Sequence, residues 1–343
     1  MNKLKIILLA FIFSSTSTFT QSYLFDGTNG FGTEIAPYRI HSKEHSAEIS
    51  DSILPIPADN WTKDKYFVLV NSIIDSVEQI IGMANYELDS ANRDTAVRAF
   101  QGYFDGQNNK INLNIKGFTV KNTFITAMFF TIDRLSYIKN IIIDGYIFSE
   151  GSSADAAGIS ITNYGIIENC INKCYVYADA MGSDYVGGIV AYLHSNVTDC
   201  INLGSIELNS SDVGGIVGLS YSESSVISCV NTGEICSGRK NNNAHSYSGA
   251  GGIIGTAYNC IINNCINIGN VSGNKIGVAG IVGRLYFESS ITNCTNAGFV
   301  QGVRRVGGII GILGPVEENI ISFQCTNTGV VIGTGEVGGV VNQ

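Results

Sequence analysis

Six cysteines, at positions 170, 200, 229, 265, 294 and 325, are the residues whose chemistry and spacing first invite explanation. Zinc sites gather their ligands as Cys-x-x-Cys or paired histidines. Here each cysteine is instead followed two positions later by asparagine: Asn172, Asn202, Asn231, Asn267, Asn296 and Asn327. Disulfides would need pairs whose side chains point toward each other. Equivalent cysteines in stacked repeats lie ~4.8 Å apart but point the same way. The pattern therefore predicts a buried ladder of thiols that pack as small hydrophobes. The asparagines predict a parallel ladder of side-chain amides, each bonded to its neighbours above and below.

Catalytic constellations are sparse. Glu223 and Glu288 share one repeat position, six residues before a cysteine and two repeats apart. Stacked coils would separate them by nearly ~10 Å, close to the ~6.5–9.5 Å of an inverting glycosidase pair. Duplication of a solvated turn produces the same coincidence. His194 and His245 fall in turns with no evident nucleophile, and Gly-x-Ser-x-Gly, Walker and His-Glu-x-x-His motifs are absent. No catalytic residue, metal site or cofactor is expected. Two features point to binding instead. Tyr192, Tyr221, Tyr258 and Tyr286 precede successive cysteines by 8, 8, 7 and 8 residues, one aromatic per repeat. Such a column is either an internal stack or an exposed platform. The repeat between Cys229 and Cys265 is also the longest, its excess falling in Ser237 to Ser248 with Arg239, Lys240 and His245. Insertions in solenoids map to loops on one face, often the binding face.

The repeats dictate the elements that hold these residues. Cysteine separations are 30, 29, 36, 29 and 31 residues. Glycine follows the cysteine by four positions at Gly204, Gly233, Gly269, Gly298 and Gly329, which predicts a corner at positive φ. Between cysteines recurs a second motif, typified by Val213-Gly214-Gly215-Ile216-Val217-Gly218 and Val306-Gly307-Gly308-Ile309-Ile310-Gly311. A unit this short, with β-branched runs and fixed glycines, cannot bury its own core. Stacked copies can, each strand pairing with its equivalent in the next coil. The predicted fold is all-β: a right-handed parallel β-helix (β-solenoid) of ~29-residue coils with an N-terminal α/β cap. One conflict stands within it. Val197, Val226, Ile262 and Ile291 lie three residues before a cysteine, so a bend or bulge must fall between if both face inward.

The Val-Gly-Gly-Ile-Val-Gly run followed by Ile/Val-x-x-Cys-x-Asn-x-Gly-x-Val resembles the GLUG repeat of secreted and surface proteins from bacteria and some parasitic protists. The resemblance spans roughly residues 157–343. Upstream, Phe100-Gln101-Gly102-Tyr103-Phe104-Asp105-Gly106 resembles a segment that often precedes such repeats. The resemblance implies an adhesin-like role at the cell surface and no characterised catalytic site.

Residues 1–22 read as a signal peptide, with Lys3 and Lys5 before the apolar run Ile6 to Phe13, which is too short to span a bilayer. Residues 23–99 then form the cap, 100–156 the first irregular coils and 157–343 the regular repeats. The C-terminus stops inside a repeat, so either a partner covers that edge or the chain is truncated. Glycine occupies 40 of 343 positions and charged residues only 14%, which excludes bundles, coiled coils and charged disordered tails. The net charge of -9 becomes more negative once the leader is removed, which disfavours nucleic acid or anionic lipid as a partner. The expected function is adhesion or binding of a glycan or protein ligand by a secreted or cell-surface protein, without catalysis. The alternatives are a polysaccharide lyase or glycoside hydrolase of the β-helix fold, and a structural spacer.

Overall fold

A computed structural model describes residues 30–51, 62–82, 99–120, 123–151, 154–180, 184–209, 212–221, 223–238, 247–274, 276–314 and 321–340. The proposed signal peptide lies outside them. One coil shows how the sequence becomes structure. Tyr185–Gly187 belongs to sheet 1, Val190–Leu193 to sheet 2, and Asn196–Thr198 to sheet 3. Ile201–Asn202 and Ile206–Leu208 form two short runs in sheet 4, after which Asp212–Gly214 re-enters sheet 1. Each strand pairs in parallel with its equivalents one coil away, as in Val190↔Val217 and Asn202↔Asn231. The product is a parallel β-solenoid of about eight turns.

The interior is a continuous column of Ile, Val, Leu, Ala and Cys side chains. Strands of two to six residues suffice for the regular coils because burial along the stack, rather than strand length, supplies the stability. The N-terminal cap is built into this stack. Tyr38–Ile40 and Tyr66–Leu69 pair in parallel and continue through Tyr103–Asp105 as the first rungs of sheet 3. The helix Lys43–Asp51 buries Ile49 in the same core as Phe67, Phe100 and Phe104. Sheet 1 begins with the antiparallel pair Phe118–Val120 and Thr123–Thr126, so the edge of its first parallel strand is covered.

The corner before each cysteine resolves the parity conflict. Asn169, Asp199, Ser228, Asn264, Asn293 and Gln324 all have φ between 50° and 57°. One left-handed residue rotates the chain, so that Val197 and Cys200, Val226 and Cys229, and Ile262 and Cys265 all point inward. The expectation that the glycine after the cysteine makes the positive-φ corner is therefore corrected. Gly233 is not in that region. It is required because a Cβ there would collide with the carbonyl oxygen of Gly204 in the preceding coil.

The amide ladder forms as the asparagine spacing predicts. Nδ2 of Asn172, Asn202, Asn231, Asn267 and Asn296 donates to Oδ1 of the asparagine in the next coil at 2.7–2.8 Å. From Asn202 onward each Nδ2 also donates to the glycine carbonyl two residues ahead, at 2.8–3.0 Å.

Beside it runs the thiol column, with no disulfide among the described residues. Cys200, Cys229 and Cys294 each donate S–H to the carbonyl two residues back, at 3.2–3.3 Å. Burial holds the Cys200 and Cys229 thiols well above the ordinary value. A side-chain hydrogen bond with Cys265 that favours the protonated thiol, with burial adding to it, pushes Cys294 up to about 12. A thiolate-selective reagent at pH 8 should therefore label the native protein sparingly, chiefly at the half-buried Cys325, and all nine cysteines after denaturation without reductant. Four disulfides found by mass spectrometry in the unreduced protein would contradict this account.

Candidate binding surface and the notch beneath it

The exit from sheet 2 carries one outward side chain per coil, six residues beyond the second glycine of the Gly-Gly run. Counted this way the column is Tyr164, His194, Tyr221, Tyr258 and Tyr286. The rings stack along the solenoid. Tyr164 and His194 lie 4.7 Å apart at 13°, Tyr221 and Tyr258 5.1 Å apart at 7°, and Tyr258 and Tyr286 5.1 Å apart at 13°. His194 and Tyr221 are nearly parallel at 6.2 Å, and Phe287 adds a ring 5.7 Å from Tyr258. Burial first, and Arg134 second, keep the His194 pKa below its ordinary value, so a neutral imidazole stands in the stack at pH 7.

Three of the four tyrosines expected in one column, Tyr221, Tyr258 and Tyr286, thus come together. Tyr192 does not join them, and His194 takes its place. The corner between ladder residue and cysteine is six residues long in that coil and seven or eight in the next three, so counting back from the cysteine slips the register. The choice between internal stack and exposed platform also resolves into neither. Ring faces cover one another, while edges and hydroxyls line the rim; Tyr221 is 42% exposed. Arg239, Lys240 and His245 lie outside the described residues. Glu223 and Glu288 occupy one column two coils apart, both exposed on the turn.

Tyr192 instead faces a notch where the outer faces of sheets 1 and 2 meet. Sheet 1 contributes Asp155, Tyr185 and Asp212 on successive rungs, and sheet 2 contributes Tyr192, Thr256 and Arg284. The walls approach because Ala191, Gly218, Gly255 and Gly283 line the base; a Cβ on Gly218 would press on the backbone of Val186. Polar contacts bridge the walls. Tyr185 and Tyr192 are 4.5 Å apart, Thr256 Oγ1 donates to Asp212 Oδ1 at 2.8 Å, and Arg284 lies 3.9 Å from Asp212. The Gly249 amide also donates to Asp212. Asp155 accepts from the Tyr185 amide at 2.9 Å, and Asp184 accepts from that of Ala154 at 2.7 Å. Burial raises the Asp155 pKa to about 7, with the Asp184 charge adding to it against the Tyr185 and Tyr192 hydrogen bonds. Sequence reading missed this set because its members differ in type from coil to coil. Their fixed offsets from the Gly-Gly run, three before and four after, were the available signal. No group of three or more His, Cys, Asp or Glu among the described residues could hold a metal ion.

No protein-family model matches this chain. No curated protein matches it either. Among solved structures, it is similar to the crystal structure of a putative immunoglobulin A1 protease from Bacteroides ovatus, at 20% identity and a TM-score of 0.53. The alignment covers 92% of this chain and 87% of that one. At that identity the likeness shows the shared β-solenoid fold.

Asp155 supplies a test of the notch. Its folded-state pKa, about 7, lies above the ordinary aspartate value of 3.8. Its contribution is therefore neutral below pH ~4, turns into a penalty that grows as pH rises from ~4 to ~7, and levels off above that at ~4 kcal/mol, at ~1.4 kcal/mol per pKa unit. Asp155→Asn should match the wild type in unfolding free energy near pH 4 and exceed it by a few kcal/mol at pH 8. A difference between variant and wild type that does not change between those pH values would show that Asp155 is not held in a protonation-sensitive site.

Proposed function

We propose that the protein is a secreted or cell-surface β-solenoid that binds a glycan or protein ligand without turning it over, through the aromatic rim of sheet 2. The observation that carries this reading is the ladder Tyr164, His194, Tyr221, Tyr258 and Tyr286, with Phe287 beside it. Stacking consumes the ring faces and leaves a row of aromatic edges five coils long. Tyrosine edges and hydroxyls do supply large contact area at low entropic cost when a partner is recognised. The apolar, basic-tipped N-terminus supports export, and the repeat motif supports membership of the GLUG group of surface proteins. The acidity of the chain disfavours nucleic acid and anionic membranes as partners.

The competing reading, a polysaccharide-active enzyme, draws on Asp155 and Asp212. They stand two coils apart, ~10 Å by strand spacing, with Arg284 opposite. Both are more than nine-tenths buried, and backbone amides, Thr256 and the notch tyrosines already supply donors to them. A sugar oxygen would have to displace those donors before meeting either carboxylate. The notch is thus better suited to fastening two sheets than to admitting a chain.

Replacing Tyr221 and Tyr286 together with alanine separates the readings. On a glycan array and against candidate surface proteins, binding should fall about tenfold or more, with ~1–3 kcal/mol lost from stability as stacking contacts disappear. The wild type should release no reducing ends from polysaccharides. Undiminished binding by the double variant would defeat the rim proposal, and turnover abolished by Asp155→Asn would establish the enzyme.

A further inference from the structure

A groove of about 430 Å3 lies at the other end of the molecule, on the outer face of sheet 3 where the segment ending at Pro37 passes the first rungs. Tyr66, Tyr103 and Tyr137 are successive residues of one outward column there. Beyond the groove the same column reads Ile166, Asn196, Ser225, Ile261 and Ser290, so the aromatic character ends where the groove does. Tyr66 and Tyr103 stack at 4.3 Å and 11°. Tyr137 lies beneath the Lys139 ammonium, 5.5 Å from its ring centroid.

The polar groups are fixed before any ligand arrives. Asp105 Oδ1 accepts from the Gln107 amide and from Asn140 Nδ2, both at 2.9 Å, and its Oδ2 lies 3.6 Å from Lys139 Nζ. Gln107 and Asn108 both have positive φ, at 48° and 60°, and the Asn108 amide bonds to the Asn140 carbonyl at 2.7 Å. The strand ends at Asp105 and Lys139 and the corner at Gln107 therefore present a carboxylate, an ammonium and an exposed amide side chain beside three tyrosines. Glu34 also lines the groove.

We infer that this groove is a binding site for a short neutral oligosaccharide, separate from the rim of sheet 2. Ring carbons supply the apolar surface that sugar C–H faces need, and paired carboxylate, ammonium and amide groups match vicinal hydroxyls, which both donate and accept. The volume falls within the ~300–1,000 Å3 range of small-ligand sites. Charge decides against an acidic sugar. Lys139 is already paired with Asp105, Glu34 adds a negative charge, and the whole chain carries -9. A uronate would meet uncompensated repulsion. This site stands whether or not the rim ladder binds anything.

Calorimetry or saturation-transfer NMR on the mature chain would use cellopentaose, laminaripentaose and mannopentaose as neutral probes and oligogalacturonate as the acidic one. At least one neutral pentaose should bind at millimolar or lower concentration, and the acidic probe more weakly. Tyr103→Ala and Tyr137→Ala should each weaken binding about tenfold. Lys139→Gln, a substitution at a side chain 39% exposed, should weaken it with the fold intact, and Tyr221→Ala should leave it unchanged. Absence of binding by all three neutral probes would overturn the inference. So would stronger binding of oligogalacturonate, or neutral binding that survives Tyr137→Ala and Lys139→Gln but is lost in Tyr221→Ala.

Discussion

The buried column of asparagine amides is the interaction on which the rest of the solenoid depends. An amide side chain with no access to water must place both hydrogens and its oxygen, or the fold bears ~1–3 kcal/mol for each group left unpaired. Here one hydrogen goes to the next asparagine and the other to a glycine carbonyl, so a run of fully buried polar groups is satisfied without solvent. The arrangement also explains why the two repeat motifs occur together. The second glycine of each Gly-Gly pair lies against the flat face of an asparagine amide. A Cβ at Gly188 or Gly215 would meet Asn202 or Asn231, and in each case a carbonyl of the next coil as well. The Cys-x-Asn block and the Gly-Gly block are two sides of one contact.

Such a ladder fixes register, and register makes the outer surface informative. Once Asn202 sits over Asn172 and under Asn231, equivalent residues of neighbouring strands superimpose along the stack. A tyrosine at the same offset in successive coils must then stack on its neighbour, at spacings near 5 Å that resemble the coil rise. Faces are consumed by that stacking and edges remain. The same constraint draws Asp155, Tyr185 and Asp212 into one wall of the notch, while parallel pairing of the first rungs of sheet 3 aligns Tyr66, Tyr103 and Tyr137 in the groove, ahead of the first ladder asparagine. The longest repeat, from Cys229 to Cys265, still keeps the pairing of Val217 with Ile254 and of Asn231 with Asn267.

The periodic part of this architecture was legible in the sequence. Cysteine, asparagine and glycine recur at fixed offsets because each touches its own copy in the adjacent coil. What proved illegible lay across corners of variable length. Distance from the cysteine groups Tyr192 with Tyr221, whereas distance from Gly188 places it with Leu219 and Thr256. A fixed glycine after each asparagine suggests positive φ, whereas the close stacking of carbonyls requires it and the left-handed corner falls to Asp199, Ser228 and their equivalents. The notch and the groove escaped notice because nothing repeats in them. Asp, Tyr, Asp and Gly follow one another on the same wall, and Tyr66 reaches Tyr103 through a segment without repeats.

Equilibrium unfolding of Asn231→Ala beside Asn327→Ala tests the primacy of the ladder most directly. At Asn231 the substitution removes the acceptor for Asn202 and the donor for Asn267 in a fully buried site, so the account predicts a loss of ~2–4 kcal/mol. At Asn327, half-buried and accepting from Asn296 at the last rung described, the loss should be smaller. A central substitution that costs less than ~0.5 kcal/mol, or no more than the terminal one, would mean that apolar burial alone sets the stack and that the amides merely fill it.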